Sequence, residues 1–229
     1  MGRTVQFALA VQFASLCMAA QPIGILFDFT ARPDKITLNS MQSEIREILG
    51  PAQLDLSFQR VTEPLTHTFR KIVIVRFRGV CQGKTHRVGM ELNEATPADF
   101  PALGRTIVSG GRVLPFVQVY CDEVREFVPF SSGQSAARIF GRALGRVVAH
   151  ELYHALLATR DHSRTGVARF AQSPLDLTRD KLALDNHSID RLRELYPQKE
   201  KEDDSEESSP SAEAYHEDKP VQRLKPARY

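Results

Sequence analysis

The sequence predicts an α+β fold in which a mixed, twisted sheet packs on one long helix. Short runs rich in β-branched and aromatic residues, such as residues 72–77, outnumber the helical segments. Residues 135–158 follow the helical period over an unusually long stretch. The order of elements is strand, helix, several strands, long helix and short helix, which is typical of α+β domains.

Before the long helix, apolar and alternating segments predict several strands and one helix. The predicted strands are residues 23–30, 54–58, 72–77, 87–92 and 113–121. The first helix is expected over residues 38–49, because its apolar residues recur at helical spacing. Asn39 or Ser40 is expected to cap its start. Residues 96–103 contain two prolines and are expected to form a loop.

The long helix, residues 135–158, has a broad apolar arc and a separate strip of arginines. This strip consists of Arg138, Arg142 and Arg146. We expect the strip to be a solvated face. Gly141 and Gly145 each weaken the helix by roughly 1 kcal/mol relative to Ala. Because they lie four positions apart, we expect them to let a helix or sheet pack close.

The chain after the long helix changes character twice. Residues 159–174 are expected to be irregular, and residues 182–196 are expected to form a short helix. After Pro197 the composition shifts to Lys, Glu, Asp, Ser and Pro, which cannot bury enough apolar surface to fold. The sequence therefore predicts one domain over residues 21–197 and a disordered, charged tail over residues 198–229.

The first twenty residues have the layout of a secretory signal peptide. Arg3 precedes a mostly apolar run over residues 5–20 that ends in small residues. The run is short for a membrane span, which needs roughly 20 apolar residues. The alternative is a buried first helix or strand. We therefore expect export to the periplasm or the extracellular space, with no stable membrane span after the signal is removed.

Cysteine content and charge bound the remaining possibilities. Without residues 1–20, the cysteines are Cys81 and Cys121. An exported chain favours a disulfide between them, although two buried thiols fit the sequence equally well. The formal net charge is +2, and the basic residues form no block. We therefore expect no nucleic-acid partner.

The long helix carries the motif H-E-x-x-H at residues 150–154. His150 and His154 lie four positions apart, so a helix places both imidazoles on one face, where they can bind one metal ion. This pattern predicts a zinc site in which Glu151 acts as general base on zinc-bound water. Because catalytic zinc takes three protein ligands and leaves one position open, a third ligand is needed.

His162 is the expected third ligand. If the helix continued, this ring would lie about 12 Å further along the axis, far beyond a zinc–nitrogen bond of ~2.0–2.1 Å. The helix must therefore end after Leu157 or Ala158, and the chain must fold back. If His162 is not a ligand, a downstream group must replace it. The alternatives are Asp185, His187, Asp190 and Glu194.

A pattern of seven residues spans the end of the long helix and the chain that follows it. Its members are His150, Glu151, His154, His162, Ser163, Gly166 and Val167. This pattern resembles the metzincin clan of zinc metallopeptidases, in particular bacterial members with Ser after the third histidine and then a Gly-Ile/Val-Met turn. The likeness covers residues 23–196. It implies a metzincin-like fold with zinc at the bottom of a horizontal cleft.

Three positions depart from the metzincin pattern. The third histidine commonly follows the second by six residues, whereas His162 follows His154 by eight. Leu157 stands where the pattern has a glycine for the turn, and Ala168 stands where the methionine of the floor turn is expected. The first two departures indicate a longer connector. The third departure, Ala168, changes the turn that forms the floor of the site.

The function that this resemblance implies is zinc-dependent hydrolysis of peptide bonds, with a peptide or protein as substrate. An extended peptide can pair with an edge strand above the cleft, for which residues 103–109 and 113–119 are the candidates. The alternative is a catalytically inactive, zinc-holding relative that serves as a binding module. Ala168 favours the alternative, whereas Glu151 favours the enzyme, because a binding module has no need of a general base.

Overall fold

The core of the protein lies between a five-stranded mixed sheet and two long helices. The structure, a computed structural model, describes residues 21–65, 67–83, 101–128, 134–178 and 181–198. The strands are β1 (Ile23–Ala31), β2 (Leu56–Arg60), β3 (Lys71–Val80), β4 (Gly104–Ser109) and β5 (Arg112–Tyr120). The helices are α1 (Lys35–Leu49), α2 (Cys121–Phe127), α3 (Gln134–Leu157), α4 (Pro174–Thr178) and α5 (Asn186–Leu195), with a 3-10 turn at Gly50–Ala52.

The strand order in the sheet is β2-β1-β3-β5-β4. The pairs β1–β2, β1–β3 and β3–β5 are parallel, and β4 pairs antiparallel with β5. Alternate residues of β3, namely Val73, Val75 and Phe77, are fully buried beneath the helices. The predicted fold class, an α+β arrangement with a mixed sheet packed on one long helix, is confirmed.

Several predicted boundaries differ from the structure. Helix α1 begins at Lys35 because Asp34 caps it: the Asp34 Oδ1 atom accepts the backbone N–H of Thr37 at 2.8 Å. The prediction that Asn39 or Ser40 is the cap is therefore wrong, since both lie inside the helix.

Not every element was predicted, and one predicted strand is not described. Residues 103–109, which contain β4, were expected only as a candidate edge strand for a peptide, and no helix was predicted where α4 forms. The strand predicted over residues 87–92 lies outside the described residues, as does most of the loop predicted over 96–103.

The close packing of α1 on α3 depends on two glycines of α3. A Cβ atom on Gly141 would lie 2.4 Å from the carbonyl oxygen of Thr37, and one on Gly145 would lie 2.8 Å from that of Met41. Both distances are too short for any other residue without a shift of the backbone. The prediction that these glycines let a neighbouring element pack close is confirmed.

The prediction that the arginine strip is solvated is wrong at Arg146. Its side chain is 0% exposed. Its Nε atom donates to the Glu44 carboxylate of α1 at 2.6 Å, and its Nη1 atom donates to the carbonyl of Asp176 at 2.6 Å. A buried charge persists when it is paired and hydrogen-bonded. Arg142 is partly exposed and also faces Glu44, whereas Arg138 is exposed as expected.

The two cysteines close a long loop of the chain. Cys81 follows β3 and Cys121 begins α2, and a disulfide joins their fully buried side chains. This result decides between the two alternatives that the sequence left open.

No helix among the described residues has the length and apolar character that crossing a bilayer requires. Residues 1–20 and residues 199–229, which include all but the first residue of the predicted tail, lie outside the described residues, so the signal peptide and the tail remain predictions.

Candidate metal centre

Helix α3 places His150 and His154 one turn apart at the edge of the core. Their Nε2 atoms face each other at 3.2 Å. Two nitrogens bound to one tetrahedral zinc at ~2.0–2.1 Å would lie about 3.3 Å apart. The helix alone therefore brings these two imidazoles to the spacing that a shared metal ion needs.

The helix ends at Leu157, as predicted, through a residue in the left-handed region. Ala158 has a φ angle of 51°, and the N–H of Thr159 donates to the carbonyl of His154 at 3.2 Å. This geometry is the usual way to end a helix, although glycine normally supplies it. The chain then folds back toward the two histidines.

The returning chain brings His162 to the other two histidines. One ring nitrogen from each residue lies within 4.8 Å of the others, and the three form the one metal-capable group found within the described residues. The His162 ring stacks on that of His150 with centroids 5.3 Å apart and contacts Phe170 edge-on at 5.1 Å. His162 itself is exposed.

The alternative third ligands do not join this group. The Asp185 carboxylate caps α5 by accepting from the backbone and hydroxyl of Ser188. Asp190 pairs with Arg193. The two remaining candidates, His187 and Glu194, have exposed side chains on α5.

Backbone carbonyls fix the tautomers of the two helical histidines. The Nδ1 atom of His150 donates to the carbonyl of Val167 at 2.8 Å, and that of His154 donates to the carbonyl of Thr159 at 3.0 Å. Because a carbonyl oxygen only accepts, each Nδ1 carries the hydrogen and each Nε2 keeps its lone pair. The two lone pairs then face each other with no hydrogen between them, an arrangement that a cation stabilises.

Burial also keeps the three imidazoles neutral, which is the form that binds metal. It lowers the pKa of His150 to about 4, although the bond to Val167 opposes the shift. Burial likewise lowers the pKa of His154, and the partial desolvation of the more exposed His162 ring lowers its pKa in the same direction. Three neutral imidazoles on one side of a cleft fit a catalytic zinc ion, which takes three protein ligands and keeps a position open.

The floor turn forms without a methionine. Gly166 has a φ angle of 71°, and a Cβ there would lie 2.1 Å from the carbonyl oxygen of Ala183. That carbonyl accepts the N–H of Val167 at 2.9 Å, and the carbonyl of Ala168 accepts the N–H of Ser163 at 2.9 Å. Ala168 is fully buried. The turn is thus held by its backbone, and it presents the Val167 carbonyl to His150.

Glu151 lies against β4, where it is 6% exposed. The Thr106 hydroxyl is 2.7 Å from Glu151 Oε2 and 2.9 Å from the Glu151 carbonyl oxygen. A Cβ on Gly104 would lie 3.1 Å from Glu151 Oε1, so the strand crosses the helix closely at this point. Burial raises the pKa of Glu151 to about 7, although the hydrogen bonds with Thr106 oppose the shift. Thr106 lies in the candidate edge strand over residues 103–109, but no local pattern in the sequence links this residue to Glu151.

A cleft of about 660 Å³ contains the site. Its lining includes residues of β4, residues 169–172, the three histidines and Glu151. Within the described sheet, β4 is an edge strand paired only with β5. Of the two predicted edge candidates, residues 103–109 thus coincide with the edge, and residues 113–119 lie inside the sheet.

Comparison with known proteins gives a distant structural likeness. No protein-family model and no curated protein match the sequence. Among solved structures, the archaemetzincin of Methanopyrus kandleri is similar to this chain, with 12% sequence identity and a TM-score of 0.46. The match covers 79% of this chain and 98% of that chain. A likeness at this level carries no function across, so the candidate site depends on its own geometry.

Proposed function

We propose that the protein is a zinc-dependent metallopeptidase. The observation that carries this proposal is the convergence of three neutral imidazoles beside a buried carboxylate in an open cleft. His150, His154 and His162 would hold the zinc ion, and Glu151 would be the general base.

In this proposal, the metal ion, Glu151 and Thr106 have separate roles in peptide hydrolysis. Bound zinc would polarise the scissile carbonyl and make a water molecule more acidic. Glu151 accepts a proton from the attacking water and then delivers it to the leaving amine. Thr106 donates to Oε2 of this carboxylate and so holds it in place. Strand β4, which contains Thr106, therefore positions the base from outside its helix.

The substrate in this proposal is a peptide or protein in extended form. One edge of β4 has no partner strand among the described residues. It can pair with an extended backbone through main-chain hydrogen bonds, which is a recurrent mode of peptide binding. Because β4 also contacts Glu151, a peptide on this edge lies next to the base and the three histidines. Export remains part of the proposal, and the Cys81–Cys121 disulfide supports it, because disulfides persist in oxidising compartments.

The test is cleavage of a peptide library by the zinc-loaded full chain and by Glu151→Gln. The variant keeps the shape of the side chain but loses its basicity, so we expect it to keep zinc and to lose cleavage by roughly 10²–10⁴-fold. Glu123→Gln is the matched control, since Glu123 is exposed in the first turn of α2 and should retain full activity.

The second candidate is an inactive zinc-binding module. Ala168 at the floor turn favours it, and the retention of Glu151 against Thr106 favours the enzyme. A natural chain that holds zinc and cuts no member of the library would support the module. Cleavage by Glu151→Gln at the natural rate would contradict the role given to Glu151.

A further inference from the structure

We infer that Gln172 is a positioning residue for the metal ligand His150, and that it acts through the carbonyl of Val167. This inference rests on the proposed zinc site. The Val167 carbonyl accepts two hydrogen bonds, one from His150 Nδ1 at 2.8 Å and one from Gln172 Nε2 at 2.5 Å. A carbonyl oxygen has two lone pairs, so the two donors together satisfy it.

The orientation of the Gln172 amide follows from its partner. The Val167 oxygen can only accept, so the amide nitrogen must face it, and the Oε1 atom points away. That Oε1 atom is buried and has no hydrogen-bond partner within the described residues. A buried acceptor without a partner is costly, so this glutamine is not placed for stability alone. Of the two polar atoms of this amide, only the donor Nε2 has a partner, the Val167 carbonyl, among the described residues.

Gln172 completes the support of a turn that lacks its usual large side chain. The backbone holds this turn at the Val167 N–H and at the carbonyl of Ala168. Neither bond involves the Val167 carbonyl oxygen, which is the group that orients His150. The Gln172 amide is the second donor to that oxygen, so it holds the carbonyl in place for the imidazole. The effect of Gln172 on the metal should therefore pass through His150 and not through His154, which has its own acceptor in Thr159.

The measurement is the zinc dissociation constant of the full chain, obtained by competition with a chromophoric chelator. Gln172→Leu removes the donor, and Gln172→Glu keeps the shape while replacing the donor with an acceptor. We expect both to weaken zinc binding by roughly 10–100-fold, the usual effect of removing a partner of a ligand. Gln118→Leu is the matched control on β5. Gln118 does not line the cleft, although its donor Arg105 does, so this variant should bind zinc as the natural chain does.

A second comparison separates positioning from general support of the loop. In a His150→Ala background, Gln172→Leu should leave the residual zinc affinity within about twofold, because the residue through which it acts is gone. In a His154→Ala background, Gln172→Leu should weaken binding as it does in the natural chain. Equal losses in both backgrounds would overturn the inference. If Gln172→Leu does not fold, Gln172→Glu is used in the same backgrounds.

The outcomes distinguish this inference from the proposed function. A natural chain that binds no zinc would end both. A natural chain that binds zinc, with Gln172→Leu and Gln172→Glu binding it equally well, would end only the role of Gln172. The visible spectrum of the Co²⁺-loaded protein gives an independent readout, since a shift in the His150 ring changes the ligand field, whereas a uniform loss of stability does not.

Discussion

The two halves of α3 differ in what surrounds them. The first half, up to Arg146, is packed against α1 through two glycines and a buried ion pair. The second half has core on one side and the cleft on the other, and its polar residues His150, Glu151 and His154 face that cleft. Because the packed half fixes the helix in the domain, the open half can keep polar side chains in place beside solvent.

The largest expected effect tests the packed half. Arg146→Ala leaves the buried Glu44 carboxylate without its closest partner, so we expect a loss of about 3 kcal/mol in the free energy of unfolding. Arg142 still faces Glu44 and limits the loss. Arg138→Ala, the same change on the exposed face of the same helix, should cost no more than about 0.5 kcal/mol. Chemical denaturation of the metal-free chain measures both, and equal losses would contradict the contrast.

A smaller effect is expected at the contact between α1 and α3. Gly141→Ala places a methyl group 2.4 Å from the Thr37 carbonyl oxygen. Overpacking costs typically 1–3 kcal/mol, and the better helix propensity of alanine returns about 1 kcal/mol, so we expect a net loss of about 1 kcal/mol.

The matched control for this contact is Gly50→Ala. No atom lies within 4 Å of the added methyl group, and the backbone there is right-handed, so stability should stay equal or rise. If Gly141→Ala is as stable as the natural chain, α1 and α3 do not pack as closely as these distances indicate.

The smallest expected effect lies where α3 ends, at the boundary of the open half. Ala158→Gly removes the strain of a left-handed alanine, so we expect the free energy of unfolding to rise by up to about 1 kcal/mol. Gln53→Gly, at the other non-glycine residue with positive φ in the described part of the chain, should give a similar gain far from the site. Thermal unfolding measures both. Zinc affinity should be unchanged in Ala158→Gly. If only Gln53→Gly raises the free energy of unfolding, α3 does not end through a left-handed residue at position 158.

Local patterns predicted much of the candidate site. His150, Glu151 and His154 share one helix turn, and the reach of a zinc bond required the helix to end where it does, so that His162 could return. Whether these residues have the roles proposed for them is for the experiments above to decide.

Groups brought together by long-range contacts could not be predicted. Thr106 contacts Glu151 across 45 positions, and nothing in the candidate edge strand over residues 103–109 indicated which helical residue it would contact. The burial of Arg146 depends on Glu44, which is 102 positions away on another helix, so the helical period alone placed it in solvent. Periodicity describes one element at a time, whereas these contacts depend on how two elements pack.

X-ray absorption at the zinc edge tests the central claim most directly. The zinc-loaded natural chain is expected to show three imidazole nitrogens at ~2.0–2.1 Å, and His162→Ala is expected to show two. His162 is exposed on a loop, so this variant should keep the fold that positions the other two ligands. An unchanged spectrum in His162→Ala, or fewer than three imidazoles around zinc in the natural chain, would contradict the account.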